Sequence, residues 1–287
     1  MIIPTLPTGY RQWVLPLVIG MRIRQQLLVA IFSAFCVGVS PLASLADSAL
    51  TVAIPDTAVE QALPMSFNGD ASVRDGALYL THARGDLYGA SFYTQPISLL
   101  NNQSFSAHFS FQITSPLCGG GLGGDGLALV IHADKSISKA YGKGLGYGGL
   151  SPSIAIEFDT FQNGEYGDPN NKHIGVNVNG DLRSIVTANA PFFINDGATY
   201  YVWVDYNGST KLLEIRLSDD VARPSTPVLS HTLDLSKILK SEVFVGFSAA
   251  TGSCHQQHLI KSLYFNRDSI EGGIDLSREA YFTDRSK

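Results

Sequence analysis

Glu157 and Asp159 stand two residues apart in the run SIAIEFD, and Asn163, Asp168 and His173 follow in TFQNGEYGDPNNKH. Side chains alternate along an extended strand, so Ala155, Glu157, Asp159 and Phe161 share one face while Ile154, Ile156 and Phe158 point to the other. Alternate carboxylates then lie roughly 7 Å apart, close enough to address two neighbouring cations. Burying them without a counter-charge is costly, and no Lys or Arg follows until Lys172. Asp168 adds a third carboxylate, Asn163 an amide oxygen and Phe161 its backbone carbonyl, hard oxygen ligands of the kind Ca²⁺ takes. His173, with Glu157 and a shared Asp159 and Asp168, makes a nitrogen-plus-oxygen set suited to an octahedral ion such as Mn²⁺. Two cations bridged by two aspartates satisfy the whole cluster. The blander alternative is a solvated polar loop after an edge strand.

Such a cluster needs rigid strands to hold it. Runs such as ALYL, SFSAHFSFQI, YYVWVDY and VFVGFSAA alternate, or are rich in β-branched and aromatic residues. Turn signals (NGD at 68 to 70, RDG at 74 to 76, NGS at 207 to 209) separate them, without helical periodicity between. From Ser48 to Asn266 this predicts an all-β sandwich or jelly roll with no internal repeat or linker. The tail 269–287, SIEGGIDLSREAYFTDRSK, is polar and mixed in charge, and reads as an extension beyond the domain.

The first 46 residues read as an export leader. Arg22 and Arg24 precede the apolar run LLVAIFSAFCVGV and the small residues of PLASLA, so cleavage after Ala46 leaves a domain at 47–268. Met21 heads a conventional signal and is the alternative start; a membrane anchor is the other reading, but the apolar run is shorter than the ~20 residues a span needs. Removing the leader takes away three arginines and no acid, which moves the net charge from −5 to −8. That balance excludes a nucleic-acid partner, and the exported chain has no remaining segment to insert in a membrane. The expected location is outside the cell, in a periplasm or at the cell surface. The leader fits a bacterial secreted protein, whereas NQS at 102 and NGS at 207 would be glycosylation acceptors in a eukaryotic secretory pathway. Cys36 lies in the leader, leaving Cys118 and Cys254 as one disulfide or two separate buried thiols.

EFDTFQN followed by DP and HIGV resembles the metal-binding segment of the legume-type (L-type) lectins, with every ligand position filled. NGDASVRDGALYLT, GGDGLALVI at 123–131, GKGLGYGGLSPSIAIEF, YYVWVDYNGSTKLLEI and VGFSAATG followed by His258 resemble other segments of that family, in the same order. The resemblance implies a concanavalin A-like jelly-roll β-sandwich of antiparallel sheets that binds glycans or glycoproteins above Ca²⁺ and Mn²⁺. It places Glu157, Asp159, Asp168 and His173 on Mn²⁺, and Asp159, the Phe161 carbonyl, Asn163 and Asp168 on Ca²⁺. Ser184 answers to the family's serine near Mn²⁺, and His258 to a structural histidine. Homo-oligomers built through sheet edges are a further implication.

For the sugar itself, the resemblance makes Asp125 the acceptor for paired hydroxyls, with a cis peptide bond before it. Asn163 would donate its amide hydrogens, Phe161 would lie against the ring, and Gly142 would supply a backbone N–H. Gly252 and Ser253 begin the loop corresponding to the family's specificity loop, and its short length to Gln257 leans towards mannose or glucose. Because the Asp125 and Gly252 loops border the pocket in that fold, a Cys118–Cys254 disulfide is implied.

Other chemistries fit less well. CGGGLGGDG lacks the GK[ST] ending and the following helix of a phosphate loop. A glycoside hydrolase of this fold would need a second glutamate where Phe161 stands, so the carboxylate pair of retaining chemistry is missing. A two-metal hydrolase needs a general base that the sequence does not offer. An adhesive module without sugar binding shares the fold, and intact Asp125 and Asn163 argue against it. His132, His231 and His255 read as packing or surface residues.

Overall fold

The computed structural model describes residues 65–99, 103–118, 123–137, 139–267 and 274–275. The leader with Met21 and Cys36, the start of the domain at 47 and nearly all of the tail lie outside the described residues.

Two antiparallel sheets form the body. The first joins β1 (Met65–Gly69), β4 (Tyr88–Tyr93), β5 (Ile97–Ser98), β7 (Gly126–His132), β8 (Ser153–Asp159), β9 (His173–Val178), β10 (Val186–Asn189) and β14 (Glu242–Ala250). Its order is β1-β4-β14-β7-β8-β9-β10, with β5 beside β14. The second joins β2 (Ser72–Arg74), β3 (Ala77–Thr81), β6 (Phe105–Leu117), β11 (Thr199–Asn207), β12 (Leu212–Ser218), β13 (Leu229–Thr232), β15 (His255–Arg267) and β16 (Ile274–Asp275). Its order is β13-β12-β11-β6-β15-β3-β2, with β16 beside β15. Helical content among the described residues is limited to 3₁₀ turns such as Gly142–Gly144 and Gly164–Tyr166. No described helix is long and apolar enough to cross a membrane.

The alternation expected for Ser153–Asp159 holds. Ile154, Ile156 and Phe158 enter the core between the sheets, with Phe109, Phe111, Val202, Val204 and Phe247. Phe158 meets Phe109 edge-on, ring centroids 5.8 Å apart, and Phe111 at 5.4 Å. Truncating so buried an aromatic to Ala would cost about 3–5 kcal/mol. β8 is not an edge strand: it pairs with β7 and β9, and every residue in it is buried.

The opposite face of the first sheet carries the small residues Ala90, Ala128 and Ala155. Their size lets the segment 139–152 lie flat on that face, where Leu145, Tyr147 and Leu150 form a second, smaller core with them. This third layer delivers the Gly142 turn to one end of β7 and β8, and the next residues down, Glu157 and Asp159, complete the same face.

Candidate functional site

Strand register assembles the polar cluster. Asp159 pairs with His173 and Glu157 with Gly175 across β8 and β9, so the glutamate carboxylate rises over a glycine. A Cβ on Gly175 would sit 2.3 Å from Glu157 Oε1 and 2.2 Å from Ser184 Oγ, so only glycine leaves room for their meeting. Ser184 donates to Glu157 Oε1 at 2.7 Å, as its expected placement requires. Tyr147, fully buried in the third layer, donates to Glu157 Oε2 at 2.5 Å. Asp168, brought back by the loop after β8, accepts from the Asn163 amide at 2.6 Å, and Asp159 accepts from the Phe161 amide at 2.7 Å.

The donor set fits a cation. Asp159, Asp168 and His173 each present a ligand atom within 4.8 Å of the others. His173 Nε2 lies 3.6 Å from Glu157 Oε1 and 3.7 Å from Asp168 Oδ1, too far for a hydrogen bond, and is buried without a partner. Its Nδ1 is 2.9 Å from the Asn170 carbonyl, which fixes the proton there and leaves the Nε2 lone pair facing the carboxylates. Burial, then the charge of Glu157, pushes Asp159 well above the usual carboxylate range; burial also raises Asp168. Burial lowers His173, but Glu157, the Asn170 carbonyl and Asp168 outweigh it and leave it raised. Among the described residues no Lys or Arg pairs with Glu157, Asp159 or Asp168; Lys172 lies over the Phe193 ring instead. A divalent cation at the cluster would supply the positive charge that no Lys or Arg provides there.

Beside it opens a cavity of about 280 Å³, lined among others by Asp125, Tyr141, Gly142, Phe161, Asn163 and Gly252. Asp86, Lys143, Ser253 and Cys254 complete its rim. Asp125 is 6% exposed; burial pushes it up to about 7, although the Gly252 N–H draws it down. Its Oδ2 is buried without a hydrogen-bond partner. The Gly124–Asp125 peptide is cis, as expected. Gly124 is squeezed there: a Cβ would lie 3.2 Å from the Cys254 carbonyl and 3.4 Å from the Phe161 ring. Cys118 and Cys254 are joined, Cα atoms 5.1 Å apart, tying β6 to the Gly252 loop. Of the two readings open for the cysteines, the disulfide is the one found.

Every expected residue therefore gathers at one end of the sandwich, with one correction. Gly142 has φ +54°, and a Cβ there would approach Asp125 Oδ2 to 3.7 Å, so glycine keeps the pocket open. Its N–H, however, donates to the Thr251 carbonyl at 3.1 Å and is occupied within the fold. Tyr141 and Tyr147 are among the residues that the sequence reading did not single out. Tyr141 is 45% exposed on the pocket wall, its ring meeting Tyr88 edge-on at 4.9 Å. Tyr147 sits in the glycine-rich run GLGYGG, where nothing in the spacing shows that its hydroxyl reaches Glu157.

Comparison with known proteins agrees with this geometry. The family model "Legume lectin domain" matches residues 57–280. The chain is 33% identical over 230 residues to the L-type lectin-domain containing receptor kinase V.9 of Arabidopsis thaliana, covering 71% of this chain and 34% of that protein. It is 29% identical over 241 residues to the receptor kinase SIT2 of Oryza sativa subsp. japonica, covering 74% and 35%. The chain thus spans about a third of the length of the curated relatives it matches. Among solved structures, peanut lectin with a 9mer peptide superposes with a TM-score of 0.62 at 28% identity, covering 72% of this chain and 93% of that one. Lectin UEA-II complexed with galactose gives 0.60 at 31%, covering 71% and 92%. These relatives are plant proteins and lend no support to a bacterial source. Over residues 57–280 the chain matches a lectin domain, and the solved structures it resembles are lectins. The chain belongs to the legume lectin family.

Proposed function

We propose that the domain binds glycans in the pocket around Asp125 and that divalent cations at the adjoining cluster hold that pocket in shape. The observation that carries this reading is Asp125 Oδ2, a buried carboxylate oxygen without a partner at an open cavity. Paired sugar hydroxyls would satisfy it with charge-assisted hydrogen bonds. Phe161 would lie along the C–H face of the ring, Asn163 would donate to a sugar oxygen, and Gly252 and Ser253 would border the outer edge. Gly142 contributes space and not its amide hydrogen.

Glu157, Asp159, Asp168 and His173 would hold Mn²⁺; Asp159, the Phe161 carbonyl, Asn163 and Asp168 would hold Ca²⁺. Bound there, the cations supply the positive charge the carboxylates lack. The Tyr147 and Ser184 hydroxyls orient Glu157, and the Phe161 and Asn163 amides orient Asp159 and Asp168.

The short loop after Thr251, which ends where β15 begins at His255, favours mannose or glucose. A second reading has its own support: similar solved lectins are complexed with galactose and with GalNAc, the latter from Bauhinia forficata. A shallow pocket of this kind implies about −4 to −6 kcal/mol per site, nearer millimolar than micromolar. Homo-oligomers would then raise avidity towards glycoproteins. We place the domain at 47–268, after a leader and before a polar tail, and the protein outside the cell or at its surface.

The test is calorimetric titration with methyl mannoside, methyl galactoside and N-acetylgalactosamine, in Ca²⁺ and Mn²⁺ and again after chelation. Binding of one sugar class, lost on chelation, supports the proposal. A folded, metal-loaded protein that binds no glycan on these titrations or on a broad array would leave an adhesive module without sugar binding.

A further inference from the structure

A buried line of polar side chains crosses the sandwich and ends on the backbone of Asp125. Thr81 on β3, His258 and Gln256 on β15, and Thr160 just after β8 are each at most 1% exposed. Thr81 Oγ1 lies 2.6 Å from His258 Nδ1, and Gln256 Nε2 lies 3.1 Å from His258 Nε2. Gln256 Nε2 also donates to Thr160 Oγ1, and Thr160 Oγ1 donates to the Asp125 carbonyl at 3.1 Å.

The directions of these bonds are mutually consistent. Asn195 Nδ2 donates to Gln256 Oε1 at 3.4 Å, which turns the amide nitrogen of Gln256 towards Thr160 and His258. Its two hydrogens serve both, so His258 Nε2 is the acceptor and His258 carries its proton on Nδ1, directed at Thr81. The Thr160 hydroxyl, having accepted from Gln256, keeps its own hydrogen for Asp125. Two donors of Thr160 therefore converge on one carbonyl, the hydroxyl at 3.1 Å and the amide at 2.9 Å, while the Asp125 amide donates to Ala250 at 3.0 Å.

Apolar side chains of similar shape would fill this space with no polar groups to satisfy, so stability alone does not call for the line. Its end point does. The backbone it fixes is that of the pocket carboxylate, which protein contacts leave half unpartnered. We propose that Thr160 and Gln256 are positioning residues of the glycan pocket, setting the Asp125 backbone from the second sheet. This rests on Asp125 being the sugar acceptor.

The test uses full-length protein in Ca²⁺ and Mn²⁺, as wild type, Thr160→Val, Thr160→Ser, Gln256→Met and, as a remote control, Ser262→Ala, which removes the Ser110–Ser262 hydroxyl pair. Amide hydrogen exchange is read at Asp125 and at Val204 in the core, and affinity for the sugar bound by wild type is titrated. Thr160→Val is expected to speed exchange at Asp125 about tenfold and weaken sugar about tenfold while Val204 stays protected. Thr160→Ser restores both, Gln256→Met gives the same pattern as Thr160→Val, and Ser262→Ala changes neither. Unchanged exchange at Asp125 in Thr160→Val, or Asp125 and Val204 loosening together, overturns the proposal. If Thr160→Val does not fold, Gln256→Met alone decides by the same criteria. A wild type that binds no sugar refutes the lectin reading, and the exchange pattern still decides the positioning role.

Discussion

The Tyr147 hydroxyl donates to Glu157 Oε2 at 2.5 Å, joining the layer that covers the first sheet to a carboxylate on that sheet. With Ser184 on Oε1, both oxygens of Glu157 are aimed before any cation arrives. Removing one hydroxyl while keeping the ring, as Tyr147→Phe, is expected to weaken transition-metal binding about 10- to 100-fold. Competition against a fluorescent chelator reads this directly. Unchanged Mn²⁺ affinity would mean that Glu157 is oriented without the tyrosine.

His258 sets an acid limit on stability. Burial pushes it down to about 3, whereas the exposed side chain in the unfolded chain titrates near 6.5. Between those values the unfolded chain binds a proton that the folded one does not, so stability falls as pH drops from 6.5 towards 3. The slope is about 1.4 kcal/mol per pH unit from this residue alone. Urea unfolding of chelated wild type and His258→Gln at pH 6 and pH 4 isolates it, because the carboxylate contributions cancel in the difference. The variant should lose about 2–3 kcal/mol less than wild type over that interval.

Much of this was legible in the sequence because period and spacing are local properties. The period-two run Ser153–Asp159 placed Glu157 and Asp159 on one face and Ile154, Ile156 and Phe158 on the other. Pairing across the sheet was not legible from spacing, so neither the central position of β8 nor the Gly175 gap beneath Glu157 could be read. Hydrogen-bond commitments are non-local in the same way. Nothing in GKGLG says that the Gly142 amide already serves Thr251, nor does EFDTF say that Thr160 serves Asp125.

The Cys118–Cys254 bond closes a loop with a sequence separation of 136, and Cys254 lines the pocket. Replacing both residues by Ser should lower stability by about 2–5 kcal/mol. It should also free the Gly252 loop to move, so sugar affinity falls more than cation affinity. Denaturant melts and paired titrations of the double variant measure the two effects. Equal losses in both affinities would indicate that the bond supports the cation cluster as much as the rim.

Chelation should soften the protein as well as silence it. Without cations the carboxylates of Glu157, Asp159 and Asp168 face one another without a Lys or Arg among the described residues to offset them. A melting temperature that rises by several degrees on adding Ca²⁺ and Mn²⁺ to stripped protein is the expected outcome, following mass action on the folded state. No shift with saturating cations would show that the cluster does not bind them.

The most direct measurement is sugar titration of metal-loaded wild type beside Asp125→Ala, with circular dichroism and metal content recorded for both. A mannose-type or galactose-type sugar that binds wild type, and is lost in Asp125→Ala while fold and cations are retained, is the predicted result. Sugar bound equally well by Asp125→Ala would contradict the assignment of this pocket as the glycan site.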